Sequence, residues 1–284
     1  MNQNRSKFSL KKRAKTFYFA SLFFSRSIRE DIKNIYLFCR YIDDIGDDKN
    51  YKKNSKINLN KIKNELKVKR SRNLIISNYI NILKKYDIET SIPNDLIDGV
   101  LSDLNSVNVK TINELLTYSY KVAGTVGLMM CNVMNVNQKE LRVKGIQLGM
   151  AMQLTNIARD IKEDLERDRV YFPMEFRSKG IKNFNLLLKK RILRKQFSKD
   201  LKRLLDFSDI IYQIAWKGVI KLPNKYKLPI AIAAYLYQSI GFKIREREYN
   251  IWDRRIYLTK PEKIMNKIKI IYKLFFNKKI NDNK

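Results

Sequence analysis

The sequence predicts an all-α chain. Three observations carry that reading. Only nine glycines and five prolines punctuate 284 residues, too few for a sandwich or barrel with many turns. Apolar residues recur three and four positions apart through most long segments. A capping-box pattern, Thr111 with Glu114 three residues on, opens one of those segments. At this length one large domain or two small ones are expected, with room for a sizeable core or an internal cavity.

Taken in order, residues 1–14 are polar and basic and read as a loose N-terminal segment. Residues 16–45 keep a helical rhythm, with Ile32, Ile35, Tyr36, Phe38, Cys39 and Ile42 on one broad buried face. The Lys/Asn-rich stretch 49–72 reads as a variable loop and an exposed helix. Residues 73–86 form another helix, and 93–107 a short one with acidic exposed positions. The helix opened by Thr111 runs through Tyr118, Tyr120 and Val122 towards Met134. Asn137 or Gln138 starts the next, which ends near Leu165. Residues 181–221 give one or two basic helices, and 229–249 are strongly helical. In the tail, Ile264, Ile268, Ile271, Leu274 and Phe275 share a face among lysines. This is either a terminal helix docked on the core or a basic amphipathic helix on a membrane surface. The chain thus divides into 1–14, a body at 15–262 and a basic amphipathic tail at 263–284.

Composition excludes several chemistries. There is no histidine, which removes Ser-His-Asp and Cys-His catalysis and His-ligated zinc. Cys39 and Cys131 are too few for a four-cysteine zinc site, and both sit in apolar helical patterns as small core residues rather than a disulfide. The 59 Lys and Arg outnumber 28 Asp and Glu, for a net charge of +31. That field favours nucleic acid, an anionic membrane face or a phosphorylated substrate. No RRM, KH or zinc pattern accompanies the charge, so nucleic acid is not an expected partner. Nor is there a Walker loop or a GxGxxG element. The apolar run near the N-terminus is broken by Arg26 and Arg29, so no secretory signal is read. The longest apolar stretch, 229–242, contains Gln238 and Ser239 and falls short of the roughly 20 residues that span a bilayer. A cytoplasmic chain is expected, at most peripheral to a membrane.

Two acidic segments stand out: Arg40-Tyr-Ile-Asp43-Asp44-Ile-Gly46-Asp47-Asp48 and Asn156-Ile-Ala-Arg159-Asp160-Ile-Lys-Glu163-Asp164. Residues four apart share a helix face, so Asp43 projects with Asp47 and Asp160 with Asp164. A single such pair is most simply a solvated acidic face. Two of them beside apolar faces, in so basic a chain, point further. Like charges about 4 Å apart repel by roughly 4 kcal/mol at an effective dielectric near 20. Gathering them needs a cation or raised pKa values. With only oxygen ligands available, magnesium fits, with manganese as a substitute, because it takes one or two carboxylates and bridges to phosphates. Arg40, Arg159, Arg169 and Arg254 are candidates to hold diphosphate oxygens. The 16 Tyr and 14 Phe can line a dry pocket for a carbocation.

At these residues the chain resembles the squalene and phytoene synthase family. Five blocks, from about residue 15 to residue 260, carry the resemblance. They are Ala14-Lys-Thr-Phe-Tyr-Phe-Ala20, Leu37-Phe-Cys-Arg-Tyr-Ile-Asp-Asp44 through Asp48, and Tyr120-Lys-Val-Ala-Gly-Thr-Val-Gly-Leu-Met-Met130. The others are Gln153-Leu-Thr-Asn-Ile-Ala-Arg-Asp160 through Asp164 with Arg169-Val-Tyr-Phe-Pro173, and Tyr237-Gln-Ser-Ile-Gly241. The wording looks most like bacterial phytoene synthases.

The resemblance implies a single-domain isoprenoid synthase fold, a helical bundle around a large central cavity. It implies that Asp43, Asp47, Asn156, Asp160 and Asp164 bind the metal, and that these aspartates act in catalysis with Arg40 and Tyr237. It implies a substrate-binding set of Thr16, Tyr36, Arg40, Tyr120, Val122, Gly124, Gln153, Asn156, Arg159, Arg169, Tyr171 and Arg254. Gly124 and Gly127 are read equally as close helix packing, and Met129 and Met130 as core. The implied reaction joins two geranylgeranyl diphosphates head to head, through a cyclopropylcarbinyl diphosphate, to an apolar C40 product. Magnesium is the expected cofactor and NADPH is not expected.

Gly46 departs from the family, which usually has a bulkier apolar residue there; glycine costs a helix about 1 kcal/mol relative to alanine. The Lys/Asn segment after Asp48 has no clear family counterpart. Alternatives are a squalene or dehydrosqualene synthase using farnesyl diphosphate, a basic nucleic-acid-binding helical protein, and a catalytically inactive relative with a scaffolding role.

Overall fold

The computed structural model describes residues 15–47, 52–181 and 183–276. Asp48 and the terminal segments 1–14 and 277–284 lie outside these. Helices dominate. They are α1 (Lys15–Ser21), α2 (Arg26–Gly46), α3 (Lys52–Lys67), α4 (Leu74–Lys85), α5 (Ser91–Ser102), α6 (Ile112–Ser119) and α7 (Thr125–Val133). Then come α8 (Lys139–Leu165), α9 (Arg191–Val219), α10 (Asn224–Glu246) and α11 (Lys260–Phe276). Among the described residues the only strands are β1 (Val107–Asn108) and β2 (Arg169–Val170), paired in parallel with Val107 opposite Arg169.

The rhythm over 16–45 is split into α1 and α2. Arg29 makes the break affordable: its guanidinium donates to the carbonyls of Leu22 at 2.9 Å and Phe24 at 3.0 Å, just past the end of α1. Along α2, Ile32, Ile35, Phe38 and Ile42 are buried, and Phe38 stacks on Tyr79 of α4 with centroids 3.7 Å apart. Tyr36 and Cys39 flank this face and are half-buried. The Asn73 side chain caps α4 by accepting from Ile75 N at 2.9 Å and Ile76 N at 3.3 Å.

Several expectations change. α3 is amphipathic rather than exposed: Leu59, Ile62 and Leu66 share one face and are buried. α5 starts at Ser91 and stops at Ser102, because Pro93 fits its first turn and lacks only an N–H that needs no partner there. Its acids are not exposed; Asp95, Asp98 and Asp103 are all half-buried. At Thr111 the hydroxyl accepts from Glu114 N at 3.1 Å, while the Glu114 carboxylate accepts from Lys110 N at 2.7 Å, one residue upstream of the usual reciprocal donor. The helix towards Met134 is interrupted by a π turn, Tyr120–Gly124, which shifts the phase between α6 and α7. Within 181–221 a short 3₁₀ segment, Phe184–Leu188, precedes α9.

α8 is the central helix. It runs against the π turn and α7 at backbone contact: a Cβ on Gly149 would lie 2.2 Å from the Ala123 carbonyl oxygen, and one on Gly127 the same distance from that of Gly145. Only glycine permits this approach. One apolar cluster gathers α8, α9 and α10, and a second gathers α2 to α5 and α7. Both cysteines are free; burial pushes the Cys39 thiol far up and that of Cys131 to about 11. Met129 is buried core, whereas Met130 also lines a cavity. No helix among the described residues is long and apolar enough to cross a membrane.

Candidate active site

A polar cavity of about 300 Å³ opens where α2, α5, α6, α8 and the β2 segment meet. Asp43 and Asp47 reach it from the end of α2, and Asp160 and Asp164 from the last turns of α8. The two acidic motifs therefore share one chamber. Gly46 explains how α2 gets there. A Cβ at that position would sit 2.4 Å from Val100 Cγ1, so the glycine lets α2 close on α5. The close approach brings Asp103, just past the end of α5, onto the same wall.

Arginines knit the walls together. Arg169 donates to Asp47 Oδ1 at 2.8 Å and to the Gly46 carbonyl at 3.3 Å, and Arg167 donates to Asp47 Oδ2 at 2.9 Å. Residues just beyond α8 thereby grip the end of α2. Arg159 forks onto Asp160 at 2.7 and 2.6 Å. Arg255 adds a 2.9 Å bond to Asp160 and lies 3.3 Å from Glu163. Arg40 pairs with Asp44 one turn on.

Asp43, Asp103 and Asp164 form no ion pair among the described residues. Burial raises Asp43 to about 7, with Asp47 and Asp103 adding to the rise against the pull of Arg40. Burial and then Asp160 raise Asp164 to about 8. Burial also lifts Asp103 to about 6, although Tyr171 and Tyr118 donate to it, the latter at 3.0 Å. The two tyrosines stack with centroids 4.5 Å apart. Asp103 raises both Asp43 and Asp164, so it couples the two motifs. Asp47 goes the other way: burial pushes it up, but Arg169 and Arg167 outweigh that and leave it lowered.

Three buried polar atoms on these walls have no partner: Asn156 Oδ1, Asp103 Oδ1 and Arg40 Nε. Two are acceptors, on the same walls as the Asp43 and Asp164 carboxyls, and one is a donor. That combination suits a cation bound together with an anion. Among the described residues no three acidic groups form a ready-made metal cage. The donor set instead suits a hard ion that keeps waters and takes some of its oxygens from a phosphate.

An apolar cavity of about 240 Å³ adjoins the chamber, sharing Val122, Gln153 and Asn156 with it. It follows α8 from Asn156 back to Leu141 between α7, α9 and α10, with Tyr237 on its wall.

Of the residues singled out from sequence, Arg40, Val122, Gln153, Asn156, Arg159, Arg169 and Tyr171 line the polar chamber with the four aspartates. Thr16, Tyr36, Tyr120, Gly124 and Arg254 line neither cavity. Tyr120 donates to Asp95 at 3.0 Å, and Gly124 packs on Ile146. Arg254 is exposed, and its neighbour Arg255 makes the ion pairs. Asp103, Tyr118, Arg167 and Arg255 were not foreseen. A signal existed for Asp103, which follows Asp95 and Gly99 at four-residue spacing. None in the sequence separates Arg255 from Arg254.

A family profile described as squalene/phytoene synthase matches residues 10–262. Phytoene synthase of Pseudescherichia vulneris is 30% identical over 265 residues, covering 88% of this chain and 85% of that protein. The 15-cis-phytoene synthase of Enterobacter agglomerans is 30% identical over 263 residues, 88% of each. Among solved structures, a dehydrosqualene synthase in complex with a ligand gives a TM-score of 0.84 at 23% identity over 93% of both chains. A squalene synthase from Alicyclobacillus acidocaldarius gives 0.71 at 17% identity, covering 86% of this chain and 93% of that one. The shared architecture is the helical isoprenoid synthase fold.

Proposed function

Because the chain belongs to the squalene/phytoene synthase family of prenyltransferases, which act on prenyl diphosphates, we propose that it joins two geranylgeranyl diphosphates head to head to form phytoene, the first step of carotenoid biosynthesis. The observation that carries this reading is the junction of an acid-and-arginine chamber with an apolar cavity at Val122, Gln153 and Asn156. A diphosphate head and a hydrocarbon tail need those two environments side by side.

Asp43, Asp47, Asp160 and Asp164 with Asn156 would hold magnesium, or manganese through the same oxygens. Bound there, the ion would draw charge from a diphosphate and ease its departure. The chain supplies the rest. Arg40, Arg159 and Arg169 can turn from carboxylate partners to diphosphate oxygens, and Arg40 Nε already lacks a partner. The apolar walls exclude water from an allylic cation, and the Tyr237 ring on the wall of the apolar cavity offers it a π face.

In the first step one donor loses diphosphate, and its C1 bonds to the C2–C3 double bond of the second molecule. A proton leaves, giving a cyclopropylcarbinyl diphosphate. In the second step that diphosphate departs and the skeleton rearranges to a C1–C1′ bond. Loss of a second proton completes phytoene, and no reductant is consumed. Tyr118 and Tyr171 stay neutral, since burial and Asp103 push both hydroxyls far up. They serve as hydrogen-bond donors, and in this reading departing diphosphate takes the protons.

The run of the apolar cavity along α8 supports the C20 donor. From Asn156 to Leu141 the cavity tracks the helix for about 22 Å at 1.5 Å per residue, on the order of an extended four-isoprene chain. The test is incubation with C20 or C15 diphosphates, magnesium and detergent, with and without NADPH, and identification of the hydrocarbon. Phytoene from the C20 donor is expected. A C30 hydrocarbon from the C15 donor alone would move the assignment to a squalene or dehydrosqualene synthase. No hydrocarbon from either would overturn it.

A further inference from the structure

The family match ends at residue 262, while α11 runs on through Lys260–Phe276. Its inner side is docked. Ile270 is fully buried, and Leu274 packs on the α8–α10 cluster. Lys267 stands 5.2 Å over the Phe23 ring, and Lys273 5.5 Å from the Trp216 ring. Glu262 clamps Lys243 at 2.6 and 2.8 Å. These contacts fix the helix and its rotation.

The outer side is apolar too. Ile264, Ile268 and Tyr272 stand four residues apart with Met265 beside them, and they are 51%, 54%, 61% and 54% exposed. From Ile264 to Ile270 a helix turns through roughly 240°, so this stripe faces away from the core. Single exposed apolar residues are ordinary, but four in one stripe mark an interaction face. The helix carries five lysines and one acid, and Lys260, Lys269 and Lys273 are exposed on it.

That charge selects the occupant. A second copy of a chain with net charge +31 would be repelled. An anionic surface with an apolar layer beneath it satisfies both stripe and lysines. We propose that this face of α11 docks the protein on an anionic lipid bilayer, lying in the plane of the headgroups with Ile264, Met265, Ile268 and Tyr272 inserted and the lysines at the lipid phosphates. This inference rests on α11 alone and stands whether or not the reaction is as described above.

The test is flotation of the full-length protein with vesicles of phosphatidylcholine, with or without 30% phosphatidylserine. Each lysine near an anionic surface raises the partition coefficient about five-fold, so the phosphatidylserine vesicles should bind it by roughly a hundred-fold more at low salt. Ile264→Ser with Ile268→Ser should lower binding at least ten-fold, and Lys260→Glu with Lys269→Glu should remove the lipid selectivity. Both variants should keep the parent's thermal midpoint and its turnover in detergent. Equal binding by parent and Ile264/Ile268 variant, or no binding to either vesicle, overturns the proposal. So does a parent that sediments as a dimer and a serine variant that sediments as a monomer, which would assign the face to a second copy.

Discussion

With divalent cations chelated, the chain should show a titration signature that it displays cleanly, because it has no histidine to obscure it. Burial raises Asp103, Asp43 and Asp164 to about 6, 7 and 8. In the unfolded chain all three ionise at the ordinary carboxylate value, so the folded chain retains protons that the unfolded chain has lost. The stabilisation this brings is fully present below the ordinary value and disappears as pH rises through 6, 7 and 8. At pH 7 the three groups together hold about 1.5 protons, so stability should fall by about 2 kcal/mol per pH unit. For a chain of this size the thermal midpoint should drop roughly 4–8 °C per unit. Asp47 does not interfere: its lowered pKa gives stability that is present above the ordinary carboxylate range and lost only on acidification below it. Calorimetric scans between pH 6 and 8 with a chelator present provide the measurement. Asp164→Asn should remove the largest share of the slope at pH 7. Magnesium with inorganic pyrophosphate should flatten the slope and, in titration calorimetry across buffers of different ionisation heat, release about 1–2 protons. A thermal midpoint that is constant from pH 6 to 8 in the chelated protein would refute the reasoning.

Asp43→Asn or Asp160→Asn should reduce turnover by roughly a thousand-fold or more while circular dichroism remains unchanged; full activity in both would count decisively against the chamber. Gly46→Ala should destabilise the fold by about 1–3 kcal/mol through the Val100 methyl, and Val100→Ala in the same chain should restore most of it, as read from denaturant midpoints. Arg169→Ala removes a mostly buried partner of Asp47 and should cost about 2–4 kcal/mol by the same measurement. Met134→Phe narrows the apolar cavity and should shift kcat/KM from the C20 towards the C15 donor by about ten-fold.

The parts of the site that were legible in the sequence are those where a period does the work. Asp43 with Asp47, and Asn156 with Asp160 and Asp164, are one turn apart on long helices, and a helix cannot hide that register. The π turn at Tyr120–Gly124 is different. Its single extra residue leaves the apolar pattern nearly intact but rotates what precedes it, so Tyr118 rather than Tyr120 reaches the chamber. Arg254 and Arg255 lie in an irregular segment with no period to choose between them. Gly46 looked like a weakness in its helix; only the packing partner, Val100, shows it to be the contact that seats α2 on α5.

The arginines then complete a logic that charge counting alone misses. Arg167 and Arg169 leave the end of α8 and bind the end of α2, so side chains beyond the second acidic motif grip the first. Every carboxylate they neutralise is one that need not be discharged by a metal, and the three left over are the ones with raised pKa values. A protein with this pairing holds two acidic edges together through its own arginines and still keeps three buried carboxyls that favour positive charge beside them. If the arginines served stability alone, Asp43, Asp103 and Asp164 would be paired as well, and the chamber would have no affinity left to use.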